Sequence, residues 1–206
     1  MSEQGASREP WADQLGTAAK SRIPTARRAL LDAFAELAQS RRYQELCVGM
    51  IVRKARVARS TFYYHFAAKD DLLLQNLAPM LSALARLPMA GKPTQEVEYW
   101  VTHIWEYRSK AGRILDGSTG QKITTALARE LRSTLTPAID HPAGDPKSSL
   151  LADQIAGAML SLLRAWIVGR STATSSDIAA MLWTGAKALA IANATPYPAF
   201  DGDFRV

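Results

Sequence analysis

Apolar side chains recur along this chain at spacings of three and four, the period of a helix buried on one face. The first stripe is Leu30, Ala33, Phe34, Leu37 and Ala38, with Arg28, Asp32 and Glu36 on the opposite side and Pro24 placed where a first helical turn needs no N–H. A second short stripe, Val48, Ile51, Val52 and Ala55, begins just past Cys47, and a third short helix is expected from about Ala58 to Tyr64. The fourth starts near Lys69, where Asp70 and Asp71 put negative charge on the positive end of the helix dipole, and runs towards Leu87. Pro88, Gly91 and Pro93 then interrupt it.

Beyond Pro93 the helices lengthen. Val97, Trp100, Val101, Ile104 and Tyr107 form one stripe, and Ile123, Leu127, Leu131 and Leu135 another, before a loop of Pro137, Pro142, Gly144 and Pro146. Leu150 to Gly169 is apolar on nearly all sides and must be covered all round, in part by a second subunit. A last helix is opened by Ser175, Ser176 and Asp177 and carries Ile178, Met181, Leu182, Gly185 and Leu189 on one face. No strand-like alternation and no internal repeat interrupts this pattern, so the expected class is all-α. Both ends, rich in Gly, Ser and Pro, are expected to be flexible.

Charge changes the picture. Of 206 residues, those from Lys20 to Lys69 include eleven basic side chains against Asp32, Glu36 and Glu45, a net of +8 in a chain whose total is +6. Clustered cations gain affinity for phosphate by releasing condensed counterions, so nucleic acid is the expected partner of this end. Composition excludes other classes. The single cysteine, Cys47, allows no internal disulfide and no zinc cluster, as in a cytoplasmic protein. Met1 to Gly16 lacks the apolar run of a signal peptide. The most apolar stretch, Ile155 to Val168, falls short of the ~20 residues of a membrane span and carries Arg164, so a buried helix and no membrane is expected. His65, His103 and His141 have no metal-ligand spacing, and neither a phosphate loop nor a GxSxG element is present. Neither an enzyme nor a bound cofactor or metal is expected.

Between Leu46 and Phe66 the layout is that of two short helices about a tight turn, in which the second lies in the DNA major groove while apolar inner faces pin the pair. Val48, Ile51, Val52, Val57, Phe62 and Phe66 are suited to the pinning. The run Ser60-Thr61-Phe62-Tyr63-Tyr64-His65-Phe66, followed by Lys69-Asp70-Asp71-Leu72-Leu73, resembles the recognition helix and fourth-helix start of the TetR family of repressors. This resemblance spans about Pro24 to Leu77. It implies that Thr61, Tyr63, His65 and Lys69 contact phosphate or position the recognition helix, and that Arg59, Ser60 and Tyr64 reach base edges. Cys47 stands where the family often has Thr, a weaker cap and phosphate donor. Arg56 replaces the usual turn glycine and must take a left-handed conformation if the turn keeps its shape.

The resemblance further implies a flexible arm at 1–20, a three-helix DNA-binding domain at 21–68, a helical effector-binding and dimerisation domain at 69–194 and a tail at 195–206. The expected function is a homodimeric regulator, a repressor, on a palindromic double-stranded operator and released by a small apolar or aromatic ligand; an architectural or cell-division factor of the same fold is the alternative. Trp and Tyr concentrate in the part with little positive charge, which makes Trp100, His103, Ile104, Tyr107, Met159 and Trp166 the candidate ligand set. Leu160, Leu163, Ile167, Met181, Gly185 and Ala188 on the last two helices are the candidate dimer interface. Cys47 is read as a small, semi-buried residue at a helix start, not a redox sensor.

Overall fold

The computed structural model of the protein describes residues 25–135 and 146–194. The expected arm and tail, Pro24 and the loop from Pro137 to Gly144 lie outside these residues. Everything described is helical or connecting, with no strand among the described residues. By its internal contacts the chain divides into two units, one ending at Gln75 and the other beginning at Asn76.

The first unit contains α1 (Thr25–Ser40), a 3-10 turn (Tyr43–Glu45), α2 (Val48–Ala55), α3 (Arg59–His65) and the start of α4 (Lys69–Arg86). Helix α1 packs on both α2 and α3. Leu30, Ala33 and Phe34 from α1, Ile51 from α2, Phe62 from α3 and Phe66 just beyond it are all buried, together with Leu46. Each large side chain of this set contributes about 1.5–3 kcal/mol by leaving water. That suffices to hold helices of eight and seven residues, which are too short to persist alone.

Helix α4 also belongs to this unit through its first turns. The reason is local bonding: Asp71 accepts from the backbone N–H groups of Ala67 (2.8 Å) and Ala68 (3.0 Å), and Lys69 and Asp70 both bond to Tyr43. Pro79 stands inside α4 without ending it. Its ring nitrogen offers no N–H to the Gln75 carbonyl four residues earlier.

The second unit holds the rest of α4, a 3-10 turn (Leu87–Met89), α5 (Gln95–Glu106), α6 (Arg108–Leu115), α7 (Gly117–Leu135), α8 (Pro146–Ile167) and α9 (Ser175–Ala194). Helix α7 lies along α8, and α9 packs on α8, on α5 and on the 3-10 turn, where the Trp183 Nε1–H donates to the Ala90 carbonyl at 2.9 Å. The expected stripe on α7 is buried at all four positions, Ile123, Leu127, Leu131 and Leu135. Thr174 caps α9: its hydroxyl accepts from the Asp177 N–H (3.2 Å), while the Asp177 carboxylate accepts from the Thr174 N–H (2.9 Å) and hydroxyl (2.7 Å).

Three expectations change here. The stripe through Tyr107 ends one residue early, because Tyr107 is the joint between α5 and a separate helix, α6, that apolar periodicity did not signal. Pro146 opens α8 where a loop was expected, as a proline at a first helical position does. The apolar stretch is also longer than expected: Ser149–Ile167, 19 residues, is long and apolar enough to cross a membrane by length and composition alone. Its inner side, Ile155, Ala156, Met159, Leu160, Leu163 and Trp166, is buried within the helical unit. Arg164 closes the junction below it. Its Nη2 donates to the Leu115 carbonyl at the end of α6, and its Nε lies 3.6 Å from Asp116. A Cβ on Gly120 would overlap that carbonyl at 1.9 Å, so glycine is required there.

Candidate nucleic-acid interface

The turn between α2 and α3 takes the left-handed form expected of it. Arg56 has φ 56° and ψ 41°, the only non-glycine positive φ among the described residues. Its N–H and that of Val57 close back on the carbonyls of Arg53 (3.3 Å) and Val52 (3.1 Å), satisfying the last carbonyls of α2. The conformation costs about 1–2 kcal/mol relative to glycine. At the other end of α2, Cys47 is the cap residue but its side chain makes no capping bond. Cys47 is exposed, which corrects its reading as semi-buried.

Helix α3 turns Phe62 wholly inward and leaves Tyr64 85% and Tyr63 50% exposed. Arg59 and Ser60 are exposed beside them, and Thr61 and His65 are half-buried. Two large aromatic side chains are thus presented to water on a seven-residue helix, next to a guanidinium. They form a face able to meet the groove of a duplex. Arg59 is held on this face by Tyr63: its Nη2 donates to the Tyr63 hydroxyl at 3.3 Å, and its guanidinium lies 5.7 Å from the ring centroid. That hydrogen bond raises the Arg59 pKa further, so its charge is permanent. His65 packs its edge between Tyr64 (4.9 Å) and Phe66 (6.3 Å). Arg27, which sequence reasoning passed over, lies 5.3 Å above the Phe66 ring and braces the end of α3 from α1.

Lys69 does not stand with these groups. Its ammonium donates to the carbonyls of Tyr43 (2.9 Å) and Leu46 (2.8 Å) and lies 4.4 Å from the Tyr43 ring centroid. Burial lowers its pKa. Tyr43 is buried, and its hydroxyl donates to Asp70. The signal for this cluster was present in the sequence, since a buried tyrosine needs a partner for its hydroxyl, but nothing in the spacing connects residue 43 to residue 70.

Residues 30–75 match the family described as bacterial regulatory proteins, tetR family. The match covers the first unit, where α2 and α3 stand as the two helices of a TetR-type helix-turn-helix. In that family such a helix-turn-helix is the DNA-binding element. Among solved structures, a TetR transcriptional regulator from Rhodococcus sp. RHA1 is 16% identical, with 80% of this chain and 95% of that one covered and a TM-score of 0.50. FadR of Thermus thermophilus, a TetR-family repressor solved with lauroyl-CoA, is 18% identical, with 85% and 98% covered and a TM-score of 0.51. At these identities the likeness is one of fold. No curated protein sequence matches the chain.

In the second unit the candidate ligand residues fall into two groups. His103 lies 4.7 Å from Tyr107 and 5.9 Å from Trp100, and stacks on Tyr99 at 6.1 Å. Burial holds the His103 imidazolium below its ordinary pKa, partly opposed by Glu106. Trp166 instead stacks on Trp105 at 4.6 Å and donates its Nε1–H to the Ala173 carbonyl at 2.8 Å. Met159 is buried, Ile104 half-buried and Tyr107 exposed. Trp166 is therefore a core residue with its polar handle satisfied.

The candidate interface divides likewise. Leu160, Leu163 and Ile167 are buried within the subunit. Met181, Gly185 and Ala188 are exposed on one face of α9 with Ile191, α8 adds exposed Leu150 and Ala158, and Val168 is exposed just past its end.

Proposed function

We propose that this regulator is a cytoplasmic homodimer that represses transcription by placing two α3 helices on the half-sites of a palindromic operator. The observation that carries the reading is the outward face of α3, where Arg59, Ser60, Tyr63 and Tyr64 are exposed around a buried Phe62. Arg59 presents its fork to a guanine edge, Tyr64 packs on a thymine methyl, and Thr61, Tyr63 and the backbone near Cys47 meet phosphate. A single recognition helix reads only a few base pairs, so a two-fold copy about one helical turn away is needed for operator specificity.

The dimer surface in this proposal is the exposed side of α8 and α9. Met181 and Ile191, each more than half exposed, recur with Gly185 and Ala188 at helical spacing on α9. Gly157 on α8 and Gly185 on α9 have open space where a Cβ would stand, which lets facing helices approach closely. An apolar or aromatic ligand is assigned to the cluster of Trp100, His103 and Tyr107 on α5, and it acts by preferring the subunit arrangement that misplaces the two α3 helices.

A gel shift on DNA upstream of its own gene, with sedimentation of the same sample, tests this reading. The expected result is a specific complex from a particle of about twice 22.5 kDa. Met181→Glu, buried against its mate, is expected to give a monomer that loses specific binding. A monomeric wild-type protein, or a complex abolished equally by any competitor DNA, contradicts the proposal.

A further inference from the structure

The family likeness makes Lys69 a candidate phosphate contact, whereas its surroundings point to a different task. An ammonium has three N–H groups and no acceptor. Here two of them are used on the carbonyls of Tyr43 and Leu46, at 2.9 and 2.8 Å, and the charge faces the Tyr43 ring 4.4 Å from its centroid. To reach a phosphate the side chain would have to give up bonds to both carbonyls, each of which is a charge-assisted contact. The carbonyls matter by position. Tyr43 opens the 3-10 turn, Leu46 ends it, and the next residue, Cys47, is the cap of α2. Because Cys47 supplies no side-chain cap of its own, the entry to α2 is held from outside the helix. Asp70 completes the arrangement by accepting the Tyr43 hydroxyl, which fixes the ring that Lys69 covers.

We propose that Lys69 is a positioning residue that clamps the entry of the helix-turn-helix to the start of α4, and that it contributes no phosphate contact. Adjacent residues Lys69 and Asp70 grip the backbone and the side-chain tip of one tyrosine, so the first turn of α4 and the segment 43–47 form one rigid joint. Burial, which disfavours the charged form, lowers the Lys69 pKa and agrees with an ammonium turned inward. The proposal rests on the DNA-binding reading above.

Its test begins with the wild-type dimerisation-competent chain and calf-thymus DNA, whose binding is governed by phosphate contacts and falls with salt in proportion to their number. Wild-type binding with a clear salt slope is the control for the DNA-binding reading itself; its absence would mean that reading, not the clamp, has failed. Against it, Lys69→Met is expected to keep the same slope, while a loss of about one unit per subunit would overturn the proposal. A fluorine tag on Cys47, the single cysteine, reports the segment the clamp holds. Its resonance in the free protein is expected to move or split in Lys69→Met, and an unchanged resonance would show that Lys69 does not set the position of this segment. Should the variant not fold, the wild-type Lys69 ammonium signal in a lysine-labelled NMR spectrum decides alone. It is expected to be protected in the free protein and unaltered by DNA; a signal that sharpens only in the complex, or couples to phosphorus, would place the ammonium on phosphate.

Discussion

The two units bury apolar side chains by the same rule and differ in what they leave outside. On the first, the large exposed aromatics are Tyr63 and Tyr64, set beside Arg59 on a helix of seven residues. On the second, Tyr99 and Tyr107 are exposed at α5, but α8 and α9 with the residue after α8 leave out Leu150, Val168, Met181 and Ile191, with small residues between them. A polar-tipped aromatic beside a guanidinium suits a wet, anionic partner, whereas a stripe of aliphatic and small side chains suits another protein surface from which water is excluded. Exposure is thus informative only when read with the chemistry of what is exposed.

The strongest way to break this comparison is to remove an inward group and ask whether the outward face survives. Phe62→Ala deletes a wholly buried ring from the core of the first unit, and is expected to cost about 3–5 kcal/mol in urea unfolding of that unit and to abolish DNA binding. Retained operator binding would show that the face of α3 does not depend on its core. A smaller effect comes from the outward group itself. Arg59→Ala should leave the unfolding midpoint nearly unchanged but cost roughly 1–3 kcal/mol per half-site and relax preference at one base pair, measured by competition with single-base operator variants. Uniform loss over all sequences would make Arg59 a phosphate contact.

Strain at the turn sharpens the picture further. Arg56→Gly removes a side chain from a backbone at φ 56°, and is expected to raise stability by about 1 kcal/mol by thermal melting. Destabilisation would mean that the arginine side chain makes a contact worth more than the strain. The smallest expected effect lies in the second unit. Hydrogen bonds from Thr174 hold the Asp177 carboxyl below its ordinary pKa of 3.8. The stabilisation is therefore present above that ordinary value and is lost as pH falls through the depressed one. The melting-temperature gap between the wild type and Asp177→Asn should be present at neutral pH and close in acid; a gap independent of pH would assign the effect to something other than the charge.

Much of this protein was legible in its residue order. Short-range patterns carry local information: the alternation of Phe62 inward with Tyr63 and Tyr64 outward, the acidic start of α4, the stripe of α7 and the need for a left-handed Arg56 all follow from helical period and backbone sterics within a few residues. The division of labour between equally apolar side chains did not follow. Leu163 and Met181 look alike as members of a helical stripe, yet one is 1% and the other 51% exposed. The sequence did not signal that Trp166 stacks on Trp105 and donates to the Ala173 carbonyl. Lys69 is the sharpest case. The sequence alone determined that a cation opens α4, but only the tertiary structure decided that its charge turns inward, because the two carbonyls that capture it belong to residues 23 and 26 positions away along the chain. Helical period is a property of neighbours in sequence, whereas burial and partnership are settled by which surfaces the fold brings together.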